Sequence, residues 1–390
     1  MDNTQSIAYV MFLIFTGTAL LSTVALFTRQ SLLVAYIALG AILGPWGLKL
    51  VSDSAIIDQT GEVGIIFLLF LLGLHLQPQN LFHSLRKMSW IAFISSVLFF
   101  LLGFIVSYVF NFRVSDCFII GAATMFSSTI IGLKLLPTTV LHHQHTGELV
   151  ISVLLLQDLL AILVLLILQA IADQQVSIRE LLLVIIAVPT LLLVAYVFAY
   201  FFLSWLLKRF DKFHEYIFIL SIGWCLCMAQ LSHVLGLSAE IGAFIAGVAL
   251  ASNPISLYIA ENLKPVRDFF LVIFFFAVGA GFNFHYLPTV IVPALILSGL
   301  TLTLKPVVFR WLLHRVGEVK SVSWEIGIRL GQMSEFSLLI VYLAYQTHLI
   351  QPTTTYMVQA VTILSFIVSC YWVVLYYPTP LATSDKLRRD

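Results

Sequence analysis

The sequence predicts an all-α polytopic membrane protein, and three observations carry that prediction. Apolar residues make up 61% of the 390 and charged residues only 10%, with a mean hydropathy of +1.03. A soluble domain carries about 25% charged residues, because its surface must be wetted. The apolar excess recurs as runs close to the roughly 20 residues that span a bilayer. Lys and Arg then gather on one side of those runs.

Thirteen apolar segments are read: 6–27, 30–47, 62–77, 88–110, 117–137, 147–171, 180–207, 214–234, 238–252, 264–282, 288–313, 324–348 and 354–377. Several connections are short and carry turn residues, such as Gly44-Pro45, Asn80 and Asn253-Pro254. Alternate connections, with the segment ends beside them, hold fifteen of the twenty Lys and Arg residues; the other side holds only Lys49, Arg113 and Arg179. Cytoplasmic loops collect Lys and Arg. The expected topology therefore has an odd number of spans, the N-terminus outside and the C-terminus cytoplasmic, in a cell (inner) membrane. The first residues, Met1–Gln5, lack the basic stretch of a cleaved leader, so the first segment is expected to be a mature helix.

Composition also excludes. The net charge is +1 and no basic block suggests nucleic acid. The four cysteines lie in apolar runs; Cys225 and Cys227 form a C-x-C without a third ligand at metal spacing, so they read as small buried hydrophobes. No nucleophile–base pair, metal cluster or phosphate loop is visible, so neither an enzyme nor a cofactor is expected.

A weak internal repeat runs through the segments. Phe70-Leu71-Leu72-Gly73 resembles Phe276-Ala277-Val278-Gly279 at an offset of 206, and Ile37-Ala38-Leu39-Gly40 resembles Phe244-Ile245-Ala246-Gly247 at 207. Copies separated by an odd number of helices insert in opposite orientations. Inverted repeats of this kind are frequent in secondary transporters, with the substrate at their interface.

Charge inside a span costs about 2.5–3.5 kcal/mol on insertion scales, so each case needs a reason. Asp158 stands near the middle of its segment, too short to snorkel. Against a structural ion pair, the favoured reading is an ion pathway: a carboxylate here holds a dehydrated monovalent cation, K+ or Na+, or a proton, but not both. Gln157 offers a neutral oxygen, and oxygen suits hard cations. Lys305, followed by Pro306, reads either as a helix-end anchor or as a charge partner for Asp158 or a helix end. Ser127, Ser128 and Thr129 lie mid-segment, where hydroxyls satisfy loosened backbone or glue helices together. Glu335 either titrates or balances Arg329 or a broken helix end.

Several stretches together resemble the membrane domain of the cation:proton antiporter-2 family, in its KefB/KefC-like branch. They are Gly40–Leu48, Phe70–Leu76, Ser127–Leu136, Leu155–Ile162, Leu237–Gly247, Leu263–Gly279 and Gly331–Ser337, in order over nearly the whole chain. The resemblance implies about thirteen transmembrane helices in a sodium/proton-antiporter-like fold, with segments 5 and 12 as broken helices crossing at the ion site. It implies dimerisation helices near 6–77 and 214–282, a transport core near 88–171 and 288–377, a linker helix near 180–207, and an elevator motion in a homodimer within the lipid bilayer. By position, Asp158 becomes the ion and proton carrier, Gln157 its neighbour, Lys305 the lysine facing it, and Ser127, Ser128 and Thr129 the unwound stretch. A Gln-Asp pair resembles the members that exchange K+ for H+; Na+/H+ exchange, a ligand-gated K+ efflux protein and a non-transporting sensor are the rivals. KefC-like proteins continue into a cytoplasmic regulatory domain, whereas this chain ends at Asp390. That domain is expected to be separate or missing, and glutathione control is not carried over.

Overall fold

A computed structural model describes residues 7–51, 54–75, 78–135, 145–172, 189–210, 213–235, 237, 239–251, 259 and 262–379. The regular elements among them are all helical. Six described helices are long and apolar enough to cross a membrane. Residues 180–188 of the expected linker helix lie outside the described residues.

Helices α1 (Ile7–Phe27), α2 (Leu32–Leu43) and α3 (Ser54–His75) open the chain. Ser31 caps α2, its hydroxyl accepting from Leu33 N. Helix α4 (Pro78–Val109) begins well before its apolar segment, with Pro in the first turn, where its missing N–H costs nothing. Helices α5 (Val114–Thr124) and α6 (Thr129–Lys134) share one segment, interrupted at Met125–Ser128. Then come α7 (His145–Ala172) and α8 (Pro189–Arg209), the latter with a π turn at Ala199–Leu203. Helices α9 (His214–Val234), α10 (Ala239–Ala251) and α11 (Lys264–Ala280) follow. Helix α12 (Leu287–Arg315) contains Pro293 and Pro306. Helices α13 (Lys320–Arg329) and α14 (Glu335–Gln346) share a segment interrupted at Leu330–Ser334, and α15 (Pro352–Tyr376) ends the described bundle.

The repeat becomes physical in the packing of α2 on α11 and of α10 on α3. A Cβ on Gly40 would land on the Phe276 carbonyl oxygen; a Cβ on Gly247 would land on the Phe70 carbonyl oxygen. Gly40 and Gly247 correspond by the repeat, as do Phe70 and Phe276, so one contact is the other with its halves exchanged. Gly279 on Ile37 and Gly73 on Phe244 repeat the arrangement. Between membrane helices lipid offers no hydrophobic drive, so close backbone approach over small residues supplies the packing energy.

Helices α8, α9, α10 and α3 share a second apolar cluster, in which the Trp224 indole donates to Ala246 O at 3.1 Å. Helices α4, α7, α12 and α13 form a third. Between the glycine-packed pair α3–α10 on one side and α7 and α14 on the other lies a small apolar cavity lined by Leu69, Ile162, Ile241, Phe244, Leu339 and Tyr342.

Candidate functional site

The two interruptions meet, and their construction is repeated. Ser128 and Ser334, 206 residues apart, each restart a helix. The Ser128 hydroxyl accepts from Ile131 N at 3.1 Å, and the Ser334 hydroxyl accepts from Phe336 N at 3.1 Å. Each such cap contributes roughly 1 kcal/mol. One residue earlier, the backbone donors freed by the breaks also find side chains: Ser127 N donates to Gln157 Oε1 at 3.1 Å, and Met333 N donates to Ser365 Oγ at 3.1 Å. The breaks are stitched together where the Ser127 hydroxyl donates to Leu330 O at 2.7 Å and the Ser337 hydroxyl to Ala123 O. Non-helical backbone at membrane depth survives only with such partners.

Lys305 is fully buried at the centre of this crossing. Its ammonium donates to Phe126 O at 2.7 Å and to Gln332 O at 3.2 Å. These carbonyls follow the ends of α5 and α13, where the helix dipole is negative. They are again 206 residues apart. So are Lys305 and Phe99, over whose ring the ammonium lies, 5.1 Å from its centre. One cation thus sits on the symmetry axis and serves both breaks. Of the two partners expected for Lys305, the structure brings helix ends to it; among the described residues no ion pair joins it to Asp158. Pro306 lies against Gly327 of α13, where a Cβ would strike the Pro306 carbonyl.

Asp158 is 1% exposed, on α7, and faces the first break. The Thr129 hydroxyl reaches both carboxylate oxygens, at 3.1 and 3.0 Å. The other oxygen candidates are engaged. Gln157 accepts from Ser127 N and donates to Met125 O at 3.4 Å, so it ties down the break. The Ser127 and Ser128 hydroxyls are taken up in the stitch and the cap. Only Asp158 and Thr129 confront each other directly. Glu335, the first residue of α14 and the repeat counterpart of Thr129, lies within electrostatic reach of Asp158. Arg329 pairs with Glu325 at 2.8 Å.

Sequence reasoning passed over the groups serving the second break. Ser369 donates to Gln332 Oε1 at 2.9 Å, and Ser365 and Ser369 lie on one buried polar stripe of α15. Their four-residue spacing, which places both hydroxyls on one helix face, is the signal that marks them.

The family model described as "Sodium/hydrogen exchanger, transmembrane" matches residues 11–376. The chain belongs to this family. Among the relatives of this exchanger domain, K(+) efflux antiporter 5 of Arabidopsis thaliana is 26% identical over 354 residues, covering 87% of this chain and 61% of the relative. Glutathione-regulated potassium-efflux system protein KefC of Klebsiella pneumoniae is 28% identical over 338 residues, 84% of this chain and 54% of the relative. The chain therefore spans little more than half the length of these relatives. The solved sodium proton antiporter MjNhaP1 from Methanocaldococcus jannaschii superposes with a TM-score of 0.70 at 17% identity, covering 95% of this chain and 99% of that one. The fold is that of a multi-pass membrane exchanger.

Proposed function

We propose that the protein exchanges a monovalent cation, K+ in first place, for protons at Asp158. The observation that carries the reading is the position of a fully enclosed carboxylate, held by one hydroxyl, beside two broken helices whose ends are already neutralised by Lys305. Because Lys305 is occupied by carbonyls, the negative charge of Asp158 is left for a cation or a proton. Occupancy by one excludes the other, and that competition is the chemistry of exchange.

In this reading the Asp158 carboxylate and the Thr129 hydroxyl oxygen are direct ligands. Thr129 turns its lone pairs to the cation when the cation displaces its proton from the carboxylate. Gln157, Ser127 and Ser128 hold the break in shape, and Glu335 adds field at the site. An unoccupied ionised Asp158 is expensive to carry across the bilayer, which suppresses leak. The apolar lining of the cavity between the α3–α10 pair and the helices α7 and α14 suits an elevator motion of one against the other. The chain works as a homodimer in the inner membrane, with the N-terminus outside and the C-terminus cytoplasmic. The relatives named as potassium efflux proteins favour K+ over Na+.

The test is reconstitution into proteoliposomes with an imposed pH gradient, read by a pH-sensitive dye on adding KCl, NaCl or choline chloride. K+ collapses the gradient in the wild type, and Asp158→Asn reduces the response to background while remaining folded. A response to Na+ alone keeps exchange and overturns K+. Cation flux without counter-movement of protons makes the protein a channel, and a fully active Asp158→Asn removes the site.

A further inference from the structure

Helix α6 has only six residues, too few to hold its place by its own hydrogen bonds. It is pinned at both ends. At one end Thr129 holds Asp158. Just beyond the other, the Leu135 carbonyl accepts from Arg329 Nη1 at 2.9 Å. Arg329 is 1% exposed and uses four of its five donor positions at once. Nε and Nη2 grip Glu325 at 2.9 and 2.8 Å, and Nη2 also donates to Pro378 O at 2.9 Å. The guanidinium carbon lies 5.7 Å from the centre of the Tyr377 ring, and Thr379 beyond it is fully buried. Glu325 balances the charge. The bonds to Leu135 and Pro378 are left to do something else: they join the end of α6 to the residues that leave α15.

We propose that Arg329 is a positioning residue for the ion site: it fixes α6 in register with Asp158 and makes that register depend on how Tyr377–Thr379 is seated. A movement of the chain where it leaves α15 is passed through one rigid guanidinium to Leu135, along one and a half turns of helix, and arrives at the Thr129–Asp158 contact. Whatever engages the chain beyond Thr379 therefore acts on cation affinity. The inference rests on Asp158 as the exchange site.

The experiment measures the half-saturating concentration and the maximal rate of exchange in proteoliposomes, with KCl or NaCl against choline chloride. The cation-dependent rise in melting temperature in detergent gives a second reading. Arg329→Lys keeps a charge for Glu325 but loses the planar fork that reaches Leu135 and Pro378 together. It is expected to raise the half-saturating concentration about tenfold, the scale on which groups supporting a metal ligand act, with a smaller change in maximal rate. Tyr377→Ala, which leaves every hydrogen bond of Arg329 intact, is expected to raise it about threefold, and the two changes are expected to combine less than additively. An unchanged half-saturating concentration in a folded Arg329→Lys overturns the proposal and leaves Arg329 as a structural ion pair. If Arg329→Lys does not fold, Tyr377→Ala decides: an unchanged value overturns the coupling. Asp158→Asn separates the two readings. Retention of the cation-dependent melting shift in that variant removes Asp158 as the site, whereas its loss beside a wild-type response in Arg329→Lys removes only the clamp.

Discussion

In the pairs α2–α11 and α3–α10 backbone touches backbone; at the crossing of α5–α6 with α13–α14, backbone is held apart by side chains. Both regions are built by the same repeat. In the first, Gly40 and Gly247 each leave a space filled by the other half's carbonyl. In the second, carbonyl and amide groups are released from the helices and must be met by Ser, Gln and Lys. The difference teaches where chemistry can reside in a membrane. Close-packed helices satisfy themselves and offer nothing to an ion, while interrupted helices demand polar company, and that company can be recruited.

The comparison makes separable predictions. Gly247→Leu forces a side chain onto the Phe70 carbonyl, where the obstacle is backbone and cannot rotate away. A loss of about 3 kcal/mol, the upper end for overpacking, is expected in a melting assay, with the half-saturating cation concentration of the surviving protein unchanged. A changed cation affinity would show that the glycine seam is coupled to the site. Lys305→Met strips the Phe126 and Gln332 carbonyls of their shared donor and is expected to lower stability by about 2 kcal/mol. Here the exchange rate falls together with the melting temperature, because the same bonds hold both breaks. A variant with normal melting and normal exchange would break the comparison outright. Ser369→Ala removes the donor to Gln332 Oε1 at the second break only; a loss of about 1 kcal/mol of stability is expected in the melting assay, with the exchange proposed at Asp158 retained. Loss of exchange there would mean that the second break takes part in transport.

Much of the fold was legible because membrane insertion writes itself into hydropathy and into the placing of Lys and Arg. Helix limits were less so: α3 and α4 continue through polar residues that hydropathy assigns to connections. Asp158 and Lys305 were conspicuous by their cost in a bilayer, and Ser127-Ser128-Thr129 by their run of hydroxyls. The division of labour among them was not. A sequence shows that Gln157 has an oxygen, but only the fold shows that Ser127 N has claimed it. Likewise Arg329 near Glu335 suggests a pair, while helical spacing of four residues delivers Glu325 instead. The polar stripe of Ser365 and Ser369 looks like ordinary helix glue until the fold sets Ser365 against Met333 N, as it sets Gln157 against Ser127 N.

The place of Lys305 on the axis has a consequence for how two similar halves can differ. A two-fold axis has room for one occupant. Lysine at both 99 and 305 would bring a second ammonium toward the first, which already lies over the Phe99 ring, and like charges in so dry a place repel. Two lysines are therefore disfavoured at this point; Phe99 brings no charge and is the surface on which the Lys305 ammonium rests. The same divergence extends to Asp158, whose counterpart at the repeat offset is Leu364. Electrostatics at the axis thus leaves a repeated scaffold with one buried ammonium, and with one buried carboxylate where the other half has a leucine.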